Sequence, residues 1–290
     1  MFAPLDVVHP GLTQARIALL LLVLLGVLVP AQALSSVEDN GPCRHFRREA
    51  GVSVCDFGVA PEQATGNVAL VGDSHASHWR AALDVVATEH AWRGLSVTHT
   101  SCPFSTSTKL IPEPARSGCV RWAEALPAYF VAHPEIDTLF VVGITGGKVY
   151  VPPGQTMFQR KVSGYLDAWS ELPDTIKHIV VIRDTPKMTR RTAGCVDRAM
   201  AAHKLAGKSC AVARRRALAA DPQVAAARQE RTRHVQVVDL TSRLCNSRQC
   251  FPVIGGVLVY KDVHHFTLAF SRSLGAPLAH AVDRAMSAWQ

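Results

Sequence analysis

Two short segments near opposite ends of the chain hold residue types suited to nucleophilic chemistry. The first is Gly72-Asp73-Ser74-His75-Ala76. A serine placed where an apolar strand turns into a helix sits at the carboxyl edge of a sheet, where open α/β folds put their sites, and its own N–H at the helix start can donate to a developing oxyanion. The second is Tyr260-Lys261-Asp262-Val263-His264-His265-Phe266-Thr267. An Asp three residues ahead of a His can accept the imidazole Nδ1–H and leave Nε2 free to take a serine proton. The expected roles are Ser74 as nucleophile, His265 as general base and acid, and Asp262 as the group that fixes the tautomer. Each segment alone has a plainer use. Asp and Ser are common helix N-caps, and a D-x-x-H can be a cap beside a surface histidine. Of the two adjacent histidines, the D-x-x-H spacing selects His265 over His264. His75 and His78 are expected to be structural or substrate-contacting, and Asp73 to orient the turn through backbone N–H groups. A metal site of His75, His78, His264 and His265 is the less favoured use of these rings, so no metal and no cofactor are expected.

These residues need a scaffold, and the apolar pattern supplies one. Asn67–Val71 is a short apolar run, followed by Trp79, Leu83 and Val86 at helical spacing. Further strand candidates are Leu95–His99, Thr138–Val142, His178–Ile182 and Val235–Leu240, with helix-like stretches near 119–132, 157–170 and 211–229. Buried strands alternating with helices argue for a mostly parallel sheet covered on both faces. Phe251–Tyr260, with Gly255-Gly256 at its middle, reads as a late hairpin. The segment 34–66 reads as a polar lead-in.

At 290 residues and 48% hydrophobic, the chain is globular, which excludes disordered, collagenous and polytopic membrane classes. Residues 1–33 are expected to be a targeting segment. Ile17–Val29 is an apolar run shorter than the roughly 20 residues a membrane span needs, and it precedes Ala31-Gln32-Ala33, a signal-peptidase pattern. An uncleaved N-terminal anchor remains the alternative. Either way the domain 34–290 is expected to be exported: secreted, periplasmic or cell-envelope associated. Its eight cysteines fall in sequence as four close pairs, and neighbour pairing is the simplest arrangement: Cys43 with Cys55, Cys102 with Cys119, Cys195 with Cys210, Cys245 with Cys250. The net charge of +8 is concentrated in a helical insertion around 184–233. It serves either as a face for an anionic envelope polymer or as a solvated surface. Nucleic acid is not expected as a partner, because no aromatics interleave the charges.

The segments GDSHASHW and DVHHFT resemble the first and last blocks of the SGNH hydrolase superfamily, in particular the SGNH domains associated with acyltransferase-3 membrane proteins. Ser101-Cys102-Pro103 and Arg183-Asp184-Thr185-Pro186 are similar to further parts of that subgroup. The resemblance implies a flavodoxin-like three-layer α/β/α sandwich, and an esterase or O-acyltransferase acting on acyl, in the first place acetyl, esters of cell-envelope glycans. The implied partners are an acylated glycan or small ester and, for transfer, a separate membrane acyltransferase. The superfamily's Asn block, an oxyanion donor, has no match. Gly143-Ile144-Thr145-Gly146 stands in its place, so the expected oxyanion donors are Ser74 with Ser101, Gly143 or Thr145. A non-catalytic glycan-binding protein on the same fold is the alternative function.

Overall fold

Successive side chains of a strand point to opposite faces, and the apolar run before Ser74 uses both. Val68 and Leu70 enter one buried cluster, Ala69 and Val71 the other. The computed structural model of the chain describes residues 41–289; the targeting segment expected at 1–33 lies outside them. The strands in chain order are β1 (Phe46–Glu49), β2 (Val52–Gly58), β3 (Gly66–Gly72), β4 (Trp92–Thr98), β5 (Ile136–Val142), β6 (His178–Ile182), the two-residue β7 (Val212–Ala213) and β8 (His234–Val238). Seven of them form one sheet in the order β1-β2-β4-β3-β5-β6-β8. The last five run parallel, and β2 joins β4 antiparallel with β1 at the edge.

Helices cover both faces. Arg80–Glu89, Leu268–Ser273 and Gly275–Ser287 contribute Leu83, Val86, Phe270, Leu278 and Val282 to the cluster of Leu70 and Phe140. On the opposite face Ala115–Ala132, Met157–Ser170 and Pro222–Gln229 bring Trp122, Phe130, Tyr165, Trp169 and Ala226 against Val71, Val141 and Val181. The result is a three-layer α/β/α sandwich whose parallel strands follow the flavodoxin order. In such sheets the crevice opens at the carboxyl ends of the strands where the order reverses, here between β3 and β5.

Two parts of the chain depart from the sequence reading. The polar lead-in supplies β1 and β2. The β1 residues Phe46-Arg47-Arg48-Glu49 carry no apolar alternation because this is the sheet edge, where charge is tolerated. Inside it, buried Asp56 accepts from Arg47 at 2.6 Å and Arg93 at 3.1 Å. The stretch 211–229 is also not one helix. It breaks into β7, the turn Arg214–Ala217 and the helix Pro222–Gln229, whose N-cap Asp221 accepts from Gln223 and Val224 N–H. Pro222 cannot continue a helix from its N-terminal side but suits a first turn.

The cysteines are bonded as 43–55, 102–119, 195–210 and 245–250. The second bridge ties the loop after β4 to the helix Ala115–Ala132. Val253–Ile254 and Val257–Leu258 pair as a hairpin. Among the described residues no helix is long and apolar enough to cross a membrane.

Candidate active site

Gly72 ends β3 with φ +144°, and a Cβ there would lie 1.8 Å from the Val142 carbonyl oxygen. Only glycine lets β3 pass so close to β5 and turn at once into the short helix Ser74–Ser77. Asp73 caps that helix. Its Oδ1 accepts from His75 N–H at 2.8 Å, and its Oδ2 accepts from Ile144 N–H at 3.0 Å. One buried carboxylate thereby fastens the serine turn to the loop after β5. Ser74 stands at the first helical position, where N–H groups have no partner within the helix.

The other half of the site is a closed loop. Lys261 N–H donates to the His265 carbonyl at 2.9 Å, and Tyr260 bridges Phe266. Within it Asp262 Oδ1 accepts the His264 and His265 backbone N–H groups, each at 2.8 Å. Its Oδ2 is 2.6 Å from His265 Nδ1, and His265 Nε2 is 2.8 Å from Ser74 Oγ. Burial raises the Asp262 carboxyl, but the His265 ring and the two N–H groups outweigh it and hold the carboxyl well below the usual range. The structure therefore brings Ser74, His265 and Asp262 into one bonded chain. In that order, serine can lose its proton to His265 while Asp262 holds the imidazole.

A second chain lies beside the first. His75 Nδ1 is hydrogen-bonded to Asp184, two residues beyond the end of β6, and His75 Nε2 is 2.7 Å from His264 Nδ1. Asp184 also accepts Thr185 N–H and Thr145 N–H, both at 2.7 Å, and its own N–H donates to Asp221 at 2.9 Å. Burial opposes the charge on both His75 and Asp184. Their mutual attraction and hydrogen bond prevail, so His75 is raised and Asp184 lowered. Burial, followed by the charges of His75 and His265, lowers His264 to about 4. His78 is fully buried against Phe266, with neither ring nitrogen hydrogen-bonded, and burial pushes it well down.

Sequence reasoning gave Asp184 no role and left His75 and His264 outside the bonded site. The available signal was position: Asp184 follows β6 as Asp73 follows β3, both at the carboxyl edge of a parallel sheet. The oxyanion candidates separate in the structure. Thr145 N–H is committed to Asp184, which removes it as a free donor. Ser101 takes a positive φ of 66° in the loop after β4. Gly143 is pressed between Tyr165 and Pro103, where a Cβ would meet the Tyr165 hydroxyl at 2.6 Å. Nitrogens of His75, His264 and His265 lie within 4.8 Å of one another and could hold a metal ion. To do so, His265 would release Ser74, and His75 would release His264 or Asp184.

A flavodoxin-order sheet with a serine, a histidine and an aspartate brought together at its switch point is the arrangement of an SGNH-type domain. The family model for the SGNH domain fused to AT3 domains matches residues 42–280, and the chain belongs to that family. Among solved structures it is similar to the periplasmic domain of the lipopolysaccharide acetyltransferase of Salmonella ser. Paratyphi A. That match has a TM-score of 0.58 at 11% identity and covers 78% of this chain and 90% of that one. A hormone-sensitive lipase from a metagenome library overlaps more loosely, with a TM-score of 0.28 at 14% identity over 52% of this chain and 47% of that one. No curated protein matches the sequence.

Proposed function

We propose that the protein is an exported serine esterase or O-acyltransferase acting on acyl, in the first place acetyl, esters of cell-envelope glycans. The observation that carries this reading is the continuous chain from Ser74 Oγ through His265 to Asp262. Ser74 Oγ attacks the ester carbonyl as its proton passes to His265 Nε2. The tetrahedral intermediate collapses, and the leaving alkoxide takes that proton. Water or a sugar hydroxyl then gives its own proton to His265 and attacks the acyl-enzyme. As the bond from the acyl carbon to Ser74 Oγ breaks, that proton passes from His265 to Ser74 Oγ and the free enzyme is regenerated. The Ser74 N–H at the helix start is a donor suited to the oxyanion. In transfer, the acyl group would be delivered by a separate membrane acyltransferase or an extracellular donor. Hydrolysis needs neither. Four disulfides support an oxidising compartment.

The test is turnover of p-nitrophenyl acetate by the purified protein and by Ser74→Ala and His265→Ala, with and without a soluble sugar acceptor. Activity that disappears in both variants supports the serine mechanism, and acetylated acceptor among the products selects transfer over hydrolysis. A wild type no faster than its variants would leave glycan binding without turnover as the function.

A further inference from the structure

Lys109 and Lys161 come from separate parts of the chain and meet at the loop that replaces the Asn block. Leu110 N–H donates to Lys148 O and Tyr150 N–H to Thr108 O, both at 2.9 Å, stitching the Lys109 segment to residues 148–150. A Cβ on Gly147 would lie 3.3 Å from Lys109 Cε and 3.7 Å from its Nζ. Lys161, on the helix Met157–Ser170, donates from Nζ to Thr145 O at 2.8 Å and Gly146 O at 3.3 Å. Both ammonium groups thus sit at residues 145–147. The same loop is fastened to Asp73 and Asp184 through Ile144 and Thr145 N–H, and Asp73 immediately precedes Ser74.

Both lysines are half-buried. Burial lowers Lys109, with Asp73 opposing. Burial and then the charge of Lys109 lower Lys161, so the two groups lie near enough to repel. Among the described residues neither is paired with a carboxylate: Asp73 and Asp184 spend their oxygens on backbone N–H groups and His75. Two partly desolvated like charges without a counter-ion are unfavourable in the free protein. An anion placed between them would relieve both the repulsion and the missing pairing.

We propose that Lys109 and Lys161 form an anion subsite beside Ser74 that binds a carboxylate or phosphate carried by the substrate, so that the glycan acted on is an acidic one. The subsite deepens the acyl-transfer reading and rests on it. The net charge of +8 would favour the approach of such a polyanion.

The test pairs binding with turnover. Calorimetric titration compares an unacetylated glucuronate oligosaccharide, a sugar phosphate and a neutral glucose oligosaccharide. Wild type and the double variant Lys109→Gln/Lys161→Gln are measured, with Lys109→Arg/Lys161→Arg as the charge-retaining control. The acidic ligand is expected to bind and the neutral one not. Affinity should fall about tenfold or more in the Gln variant, and with added salt, while the Arg variant keeps most of it. The ratio of glucuronate to sugar-phosphate affinity tells which anion the subsite prefers. In turnover, p-nitrophenyl acetate should be cleaved within about twofold of wild type by the Gln variant, while an O-acetylated glucuronate oligosaccharide loses about tenfold or more in kcat/KM. Equal binding of the neutral and acidic sugars, or unchanged binding in the Gln variant, would overturn the subsite. Loss of anion binding in the Gln variant with no ester turnover by wild type would uphold the subsite and fail only the catalytic reading.

Discussion

His75 Nε2 lies 2.7 Å from His264 Nδ1, so an Asp184–His75–His264 chain runs beside Asp262–His265–Ser74 and ends on the neighbouring residue. The two chains share a wall of imidazoles, with the His75 and His265 ring centres 5.0 Å apart. Close cationic neighbours disfavour one another's charged forms. His264, lowered by burial and then by the charges of His75 and His265, is expected to titrate near about 4, and His75, where the charge and hydrogen bond of Asp184 prevail over burial, above the ordinary histidine value. Histidine ring NMR across pH 3.5–8 reads both directly. A neutral His75 at pH 6 would contradict the paired assignment.

Replacing Asp184 with Asn should be costly, because it strands His75 in the core and weakens the hold on Thr145. Breaking one side of a buried pair is expected to cost about 3–5 kcal/mol. The measurement is a urea unfolding series with Asp184→Asn, His75→Gln and the double variant. Coupled residues give a double variant much less destabilised than the sum of the singles.

His78 is a buried imidazole without hydrogen bonds, held well below its ordinary pKa. A histidine whose folded pKa is lowered binds its proton more readily in the unfolded chain, so its contribution is favourable above about pH 6.5 and is lost as pH falls toward the folded value. His78→Phe, which keeps the ring contact with Phe266, should flatten the pH dependence below pH 6.5 by up to about 1.4 kcal/mol per pH unit. Parallel slopes for wild type and variant would remove His78 from the account.

Gly72→Ala would place a methyl group 1.8 Å from Val142 O at a positive φ. The expected result is a loss of at least about 3 kcal/mol, read as a large drop in Tm or in soluble yield. A variant melting within a few degrees of wild type would mean that β3 and β5 can separate without cost.

Asp262→Asn removes the charge that holds the His265 tautomer while keeping the size of the side chain. Because Asp262 is half-exposed, stability should change little, and kcat on p-nitrophenyl acetate should fall about 10²–10⁴-fold with KM nearly constant. Its lowered carboxyl stays ionised into acid, so the acid limb of the wild-type rate profile should not be set by Asp262.

The central strands were legible because each is a short apolar run between turn residues, and the sandwich follows from their alternation with helices. The sequence reading missed β1 and β2: the edge strand β1 has no apolar alternation, and in β2 the run of Val52, Val54 and Phe57 is short and interrupted by Asp56, which Arg47 and Arg93 pair. It also joined 211–229 into one helix, since helical spacing in a basic segment does not reveal the break that Pro222 and its cap Asp221 impose. In the site, Ser74 and the Asp262–His265 spacing were visible because each motif is local, three residues wide or placed at a strand end.

Local spacing and apolar periodicity are properties of the chain written in one dimension. They were enough for the parallel α/β class, they made neighbour pairing the simplest arrangement of the cysteines, and they singled out Ser74 and the Asp262–His265 spacing that the structure brings together. Tertiary structure alone decided that Asp184 reaches His75 across 109 residues and that His75 reaches His264 across 189. It also decided that Thr145 N–H turns inward to Asp184 and that two lysines face one loop. The physical reason is that partners of buried charges are chosen by which strand ends the sheet order brings together, and no periodicity in the sequence encodes that choice.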